Sequence, residues 1–351
     1  MKLVILTPYM NGFGGTEKVV ANFCDAFKLV SPTDVTLKVI DLGGTTDTAW
    51  TLNRPITVVG LGKHRFTRNI QYALTLYSRI SKILRQETPD FLISTNPLMW
   101  SFAKRICEKT SLQTKVIAWY HYSLSRKPVR SQMLRAADFY WAISSGIRDE
   151  LIAAGIEKAK IQLVFNPVVP QSEMISRSKN HNRLVYMGRT ILDGQKNLRE
   201  LLLALANVKY DWQLDVYGDG EDRDKAPELA QQLGIAERVK WHGFVPDSWQ
   251  QITEADALIL TSTYEGFPMV LVEALSYGVY VISSDVQTGP QDIIDSGNGQ
   301  LYDLGKIEQL QQAIERVLRD DNMPRQQALV ESVEKYYLNN YMTNVLALLK
   351  G

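Results

Sequence analysis

Short apolar, β-rich runs alternate with helix-period stretches along nearly the whole chain. The runs are Lys2–Thr7, Val35–Ile40, Ile56–Val59, Phe91–Ser94, Lys115–Trp119, Tyr140–Ile143 and Ile161–Val164, with helical patterns at Thr16–Phe27, Arg68–Glu87 and Ser144–Ala154. Strands joined in this way form βαβ units and parallel sheets. The pattern breaks at Asn166-Pro167-Val168-Val169-Pro170, and the polar stretch Gln171–Asn182 reads as a linker. It restarts with strands at Arg183–Met187, Gln213–Tyr217, Val239–Trp241, Ala257–Leu260 and Val279–Ser283, and helices at Asn197–Val208, Lys225–Leu233, Met269–Tyr277 and Ile307–Asp320. A last apolar-periodic segment, Arg325–Leu349, predicts two helices, a tail suited to packing back on the first domain. A chain of 351 residues exceeds the ~250–300 that one core holds. Two α/β domains follow, residues 1–170 with a tail of about 333–351, and residues 171–332.

Composition closes off other classes. With 45% hydrophobic and 22% charged residues, the chain is neither disordered nor collagen-like nor a coiled-coil rod. No apolar stretch reaches the ~18 residues of a membrane span. The run from Met1 to Pro8 is too short for a signal peptide and reads as a buried strand. Cys24 and Cys107 make no disulfide framework and are expected as reduced thiols in a cytoplasmic protein. The net charge of +1 conceals an asymmetry: residues 1–170 hold 22 basic and 12 acidic side chains, the remainder 17 and 26. Basic clusters include Lys63-His64-Arg65 with Arg68, Arg79/Lys82/Arg85, Lys104-Arg105 with Lys109, and Arg126-Lys127 with Arg130 and Arg135. Such a face is either solvated or suited to an anionic membrane surface. No nucleic-acid-binding signature accompanies it, so no nucleic-acid partner is expected.

Ligands of open parallel sheets sit beyond the carboxyl ends of the strands, so the strand-end loops are where chemistry is sought. The first is Gly12-Phe13-Gly14-Gly15-Thr16-Glu17. Gly12 and Gly14 fit a dinucleotide fingerprint, but its last glycine is replaced by Glu17. An NAD reading would use Asp41 at the end of the second strand; the plainer reading is a tight turn with Thr16 and Glu17 in the first helical turn. The most informative segment is Ser262-Thr263-Tyr264-Glu265-Gly266-Phe267-Pro268-Met269-Val270-Leu271-Val272-Glu273-Ala274. It follows an apolar strand and opens a helix, with Pro268 suited to the first turn. Amides at such a terminus hold anions and hydroxyls. Glu265 and Glu273 are eight residues apart, roughly 12 Å along a helix, too far for an acid–base pair on one bond. They suit the two ends of an elongated ligand, or else a solvent-facing helix.

At this point the sequence resembles the family 4 retaining glycosyltransferases. The residues that carry the resemblance are Gly14-Gly15-Thr16-Glu17, His121 within Trp119-Tyr120-His121-Tyr122-Ser123, Ser144-Ser145-Gly146-Ile147, Asn166-Pro167-Val168, Gly188-Arg189, Lys196-Asn197, Gly218-Asp219-Gly220, Gly243-Phe244-Val245, Glu265 through Glu273, Gly278 and Asn298-Gly299. Glu265-Gly266-Phe267-Pro268-Met269, Ser283-Ser284-Asp285 and Gly289-Pro290-Gln291-Asp292 are similar to the lipopolysaccharide 1,6-galactosyltransferase branch. The resemblance implies the GT-B fold: two Rossmann-like parallel-sheet domains facing a cleft, the first on the acceptor side and the second binding a nucleotide sugar. It implies transfer of a hexose from a donor such as UDP-glucose, UDP-galactose or an N-acetyl derivative to a cell-surface glycan or lipid-linked acceptor, in the cytoplasm or on the inner face of its membrane. Retention in this family is described as front-face attack, the leaving phosphate taking the acceptor's proton.

Residue by residue, the resemblance puts Glu265 and His121 beside the donor sugar and Arg189 and Lys196 on the diphosphate. Gly266, Phe267, Pro268, Met269 and Val270 form the loop whose amides meet the sugar and diphosphate, and Glu273 holds the ribose. Phe244 borders the base, and Gly15 lies in a loop near diphosphate and acceptor. Two features depart from the family pattern: the segment Thr190–Gln195 sets the Arg189–Lys196 spacing, and Tyr122 replaces the aspartate often found after the histidine. His64, His121, His181 and His242 lack zinc spacing and no Asp-x-Asp motif occurs, so no metal or other cofactor is expected. Each residue also has a plainer reading: Arg189 in a surface ion pair, Lys196 solvated, His121 in the core, Asp219 a turn-former, Asn166 a turn residue at the boundary. A non-catalytic sugar-nucleotide-binding subunit and an NAD-dependent oxidoreductase are the alternatives.

Overall fold

A computed structural model describes residues 1–12, 14–60, 65–320 and 322–351; Phe13 of the glycine-rich loop and Lys63 and His64 of the first basic cluster lie outside them. The described chain divides into two compact units, Met1–Val168 with Tyr336–Gly351, and Val169–Lys335.

The first unit contains β1 (Lys2–Thr7), α1 (Gly15–Val30), β2 (Thr36–Asp41), β3 (Ile56–Val58), α2 (Arg65–Glu87), β4 (Phe91–Ser94), α3 (Pro97–Thr110), β5 (Lys115–Ala118), α4 (Ser131–Leu134), β6 (Phe139–Ala142), α5 (Ser145–Ala153) and β7 (Ile161–Leu163). The strands form a parallel sheet in the order β3-β2-β1-β4-β5-β6-β7. Leu3 to Leu6 of β1 are wholly buried, which is why that run is apolar without alternation. Helix α3 has no counterpart among the helices read from the sequence. Its start is nonetheless well specified: Pro97 occupies the first turn, and the Asn96 side chain accepts from the Leu98 and Met99 amides.

The second unit contains β8 (Arg183–Met187), α6 (Leu198–Ala206), β9 (Gln213–Tyr217), α7 (Lys225–Gln232), β10 (Val239–Gly243), β11 (Ala257–Leu260), α8 (Met269–Ser276), β12 (Tyr280–Asp285), α9 (Pro290–Ile293), β13 (Gly299–Asp303), α10 (Ile307–Leu318) and α11 (Gln326–Ser332). Its parallel sheet runs β10-β9-β8-β11-β12-β13. β13 is an additional edge strand, paired only with β12, so its Gly-Gln-Leu-Tyr-Asp sequence lacks the apolar run of a central strand. Gln171–Asn182 is not a free linker. The Ile175 amide bonds Tyr277 O at 2.9 Å, and Ser178 donates from its amide (3.0 Å) and hydroxyl (2.5 Å) to the Asp256 carboxylate. Asp256 also accepts from the Arg183 amide at 2.8 Å and so fastens the segment to the start of β8.

The tail ends in α12 (Leu338–Lys350), which packs on the first unit. Tyr341 of α12 meets Phe23 of α1 at 6.1 Å, and Phe23 also contacts Trp119 and Trp141 at 5.4 and 6.0 Å. Cys24 and Cys107 are buried and unbonded. Among the described residues, no helix is long and apolar enough to cross a membrane.

Candidate active site

In the second sheet, β8 has β9 on one side and β11 on the other, so the crossovers leave in opposite directions there. Such a switch point opens a crevice between the two strand-end loops. The loop after β8 carries Arg189 and Lys196; the loop after β11 carries Glu265.

These loops are joined by a ladder. The Thr263 amide donates to Gln195 O at 2.8 Å, the Thr263 hydroxyl to Gly194 O at 2.9 Å and the Thr261 hydroxyl to Lys196 O at 3.1 Å. The ladder sets Lys196 Nζ 2.6 Å from Glu265 Oε1. The side chains retain 15% and 10% of their exposure, so the pair is largely shielded from solvent screening. The Glu265 carbonyl accepts the Thr288 hydroxyl, which ties the same loop to the end of β12. Gly289, just beyond, has φ +100°, and a Cβ there would lie 2.5 Å from the Pro268 ring; the 266–268 turn therefore needs glycine at both demands, conformation and space.

The loop after β8 is equally constrained on its other side. Gly218 has φ +136°, and a Cβ there would fall 1.8 Å from Gly188 O. Thr190 bonds the same neighbour, its hydroxyl to Gly218 O (3.0 Å) and its amide to Asp219 O (3.2 Å). Asp219 forms the turn itself, its carboxylate accepting the Gly220 amide at 2.8 Å. Arg189 is exposed and its guanidinium bonds the Gln195 side chain.

Pro268 precedes α8, and Met269 and Val270 open it. The first amides of a helix have no intrahelical acceptor and carry the positive end of its dipole. One turn deeper, Glu273 is 8% exposed and accepts from Trp249 Nε1 at 3.1 Å. Trp249 stacks on Tyr277 at 5.2 Å. Both acids are thus buried rather than solvent-facing. At the end of β10, Gly243 has φ +68° and leads to exposed Phe244. The preceding His242 stacks flat on Tyr217 at 4.2 Å and bonds Asp215 at 2.6 Å.

His121 and Gly15 belong to the first unit. His121 follows β5 with its ring 4.7 Å from that of Trp119; burial pushes the imidazole down to about 3, and Nε2 has no hydrogen-bond partner. It is a neutral hydrogen-bonding group rather than a cation. Other polar groups stand at the neighbouring strand ends. Thr7 pairs with Asp41, and one step beyond the Leu6–Ser94 and Ser94–Ala118 pairs come Thr95 and Trp119. Burial raises Asp41 to about 7, even though its carboxylate accepts from the Gly43 and Gly44 amides at 2.8 and 2.7 Å. Enclosed in this way, Asp41 is not placed to hold a ribose, which removes the residue an NAD reading needs. Glu17 folds back on its own loop, accepting from the Asn11 and Gly12 amides at 2.9 and 3.2 Å. Gly15 is the first residue of α1, with open space where a Cβ would stand.

Sequence reasoning missed Gln195, Trp249 and Thr288, which hold Arg189, Glu273 and Glu265. A tryptophan in the polar run Pro246–Gln251 is a visible signal for Trp249; nothing local marks the other two.

The family model for glycosyltransferase family 4 matches residues 13–172, and that for glycosyl transferases group 1 matches residues 171–335. The lipopolysaccharide 1,6-galactosyltransferase of Salmonella typhimurium is 32% identical, over 98% of this chain and 97% of its own. The solved lipopolysaccharide outer core galactosyltransferase WaaB, in its apo form, superposes with a TM-score of 0.87 at 30% identity, covering 100% of this chain and 99% of that one. Anabaena HepE in complex with UDP shares the fold, with a TM-score of 0.80 at 18% identity and complete coverage of both chains. The chain belongs to the family 4 glycosyltransferases and has their GT-B fold.

Proposed function

We propose that this glycosyltransferase moves a hexose from a UDP-sugar to a lipopolysaccharide-type or other lipid-linked glycan on the cytoplasmic side of a membrane, with retention of anomeric configuration. The observation that carries the reading is the shielded Lys196–Glu265 pair at the second sheet's switch point, at the mouth of α8. Cleaving the sugar–phosphate bond delivers its electron pair to the departing diphosphate. Lys196, Arg189 and the Met269 and Val270 amides are the groups to meet that charge, and such preorganised stabilisation is usually the largest catalytic term. Arg189 offers a planar fork to phosphate oxygens and Lys196 a point charge. In the donor-free state Glu265 neutralises Lys196; with donor bound, Lys196 turns to the diphosphate and Glu265 accepts sugar hydroxyls. Glu273, held by Trp249, takes the ribose hydroxyls, and Phe244 covers the base. The family resemblance assigns neutral His121 to the donor sugar and Gly15 to a loop near diphosphate and acceptor.

The acceptor hydroxyl attacks the anomeric carbon on the face the diphosphate leaves, and its proton passes to the departing phosphate oxygen. No metal or other cofactor takes part in this scheme. The galactosyltransferase names of the similar proteins support a UDP-hexose donor and a lipopolysaccharide acceptor, and UDP is the nucleotide bound in HepE. The test is a screen of UDP-sugars with the purified chain and core oligosaccharide acceptors. UDP release should rise with acceptor, survive EDTA and fall by about 10²-fold or more in Lys196→Ala and Glu265→Ala, and the product's anomeric proton should report retention. Turnover with no UDP-sugar, or an inverted product, would overturn the reading.

A further inference from the structure

Helix α6 buries Leu198, Leu201, Leu202, Ala204 and Leu205, and among them it buries a carboxylate, Glu200, at 6% exposure. An ionised side chain taken out of water is costly unless donors meet it. Two donors meet it here: Oε2 accepts from the Asn197 side-chain amide, and Oε1 accepts the Gly305 backbone amide at 2.8 Å. Gly305 lies in the turn between β13 and α10, so the carboxylate ties the start of α6 to a loop 105 residues further on. The Tyr302 hydroxyl stands beside the same carboxylate; burial first, and the Glu200 charge second, push its pKa up.

What the carboxylate holds is the residue next to Lys196. Asn197 has φ +47° and ψ +43°, a left-handed conformation that costs most side-chain-bearing residues energy and Asn less than others. Its side chain caps no amide of α6. The first of those amides are taken by the preceding loop, Leu198 donating to Ile191 O at 3.0 Å and Arg199 to Leu192 O at 3.2 Å. The Asn197 side chain is thereby left for Glu200. The Lys196 backbone is held on both counts: the Thr261 hydroxyl bonds its carbonyl at 3.1 Å, and the Asn197–Glu200 bond fixes the residue that follows. A lysine that exchanges Glu265 for an anion must swing its side chain while its backbone stays in place. An apolar side chain at position 200 would complete the leucine face, so packing alone does not call for a carboxylate there.

We propose that Glu200 is a positioning residue for the transfer reaction, fixing the Lys196 backbone through Asn197 so that the lysine ammonium reaches the donor diphosphate. The inference rests on the UDP-sugar reading given above. The experiment is a double-mutant cycle between Glu200→Leu and Lys196→Ala in the full chain, read as kcat/KM with UDP-sugar and acceptor and as the dissociation constant of UDP by calorimetry. Glu200→Leu should melt within a few degrees of the wild type, because replacing a buried charge by a packed apolar side chain is often neutral for stability. It should lower kcat/KM about tenfold or more, a share of the ~10²-fold that a misplacement of about 1 Å costs, and weaken UDP several-fold. On the Lys196→Ala background the same substitution should change neither quantity, since residues that act through one another are not additive. Glu200→Gln can still accept the Gly305 amide while the Asn197 amide turns over to accept from it, so its activity should stay within a few-fold of the wild type. Wild-type kcat/KM in Glu200→Leu, a full second loss on the Lys196→Ala background, a loss that tracks a fallen melting temperature, or a Gln variant as weak as the Leu one would overturn the proposal. A wild type that binds UDP but transfers no sugar would sink the transferase reading alone, because the cycle is still read in the UDP dissociation constant; a wild type that binds no UDP would overturn both.

Discussion

The switch points of the two sheets share a topology and differ in charge. In the first, the strand ends present Thr7, Thr95, a histidine kept neutral and an aspartate whose pKa is raised to about 7. In the second they present Arg189, Lys196 and Glu265. A parallel sheet thus fixes where a ligand sits, while the residues just past each strand fix what kind. Formal charges suit a diphosphate; neutral donors and acceptors suit hydroxyls. The acids make the contrast sharpest, since Glu17 spends its carboxylate on its own loop and Glu265 on a lysine from the neighbouring one.

The largest test of this contrast is pH. Asp41, raised from 3.8 to about 7 in the folded state, favours folding below pH 4 and loses that contribution as pH rises through 7. The swing is about 4 kcal/mol. His121, depressed from 6.5 to about 3, acts in the opposite sense: its contribution is complete above pH 6.5 and fades as pH falls toward 3. Between pH 4 and 6.5 the two oppose each other. Urea denaturation of Asp41→Asn should therefore show stability climbing with pH over that window, and His121→Asn should show it falling. Variant profiles parallel to the wild type would mean that burial does not shift these two groups.

At the charged switch point, Lys196→Ala should lower kcat/KM by about 10²–10³, the loss typical of one preorganised donor. The variant also strands the Glu265 carboxylate, so Lys196→Ala/Glu265→Gln should recover stability but not rate. A recovered rate would reduce the lysine to a structural partner. Removing the Trp249 bond to Glu273 by Trp249→Phe should cost about 1 kcal/mol of stability and raise the donor KM several-fold, with kcat nearly unchanged. A fall in kcat alone would move Glu273 from ribose binding to the reaction itself. The smallest effect is set by salt: the mostly buried Lys196–Glu265 pair should be insensitive to ionic strength, whereas the exposed Arg189 contribution should weaken as salt rises, seen as a rising donor KM absent in Arg189→Ala.

Central strands were plain in the sequence because burial on both faces leaves uninterrupted apolar runs; Lys2–Thr7, Phe91–Ser94, Arg183–Met187, Gln213–Tyr217 and Ala257–Leu260 begin and end where the reading placed them. Edge strand β13 was not, since half its surface needs no apolar residue. Docking of Gln171–Asn182 was hidden for a related reason: it depends on hydrogen bonds to Asp256 and Tyr277, far along the chain, and polar sequence alone looks like a tether. In the site, the charged residues stood out by type and place. Their partners did not, because Gln195, Trp249 and Thr288 act through geometry that only the folded loops create. The raised pKa of Asp41 and the neutrality of His121 are likewise products of burial.

The near-collision of Gly218 with the Gly188 carbonyl has a practical meaning for anyone redesigning the enzyme. A side chain at Gly218 would run into the neighbouring backbone and would strain its own, so libraries randomised at that glycine would consist mostly of misfolded protein. Altered nucleotide preference is better sought at exposed positions such as Phe244, where a new side chain has open solvent to grow into.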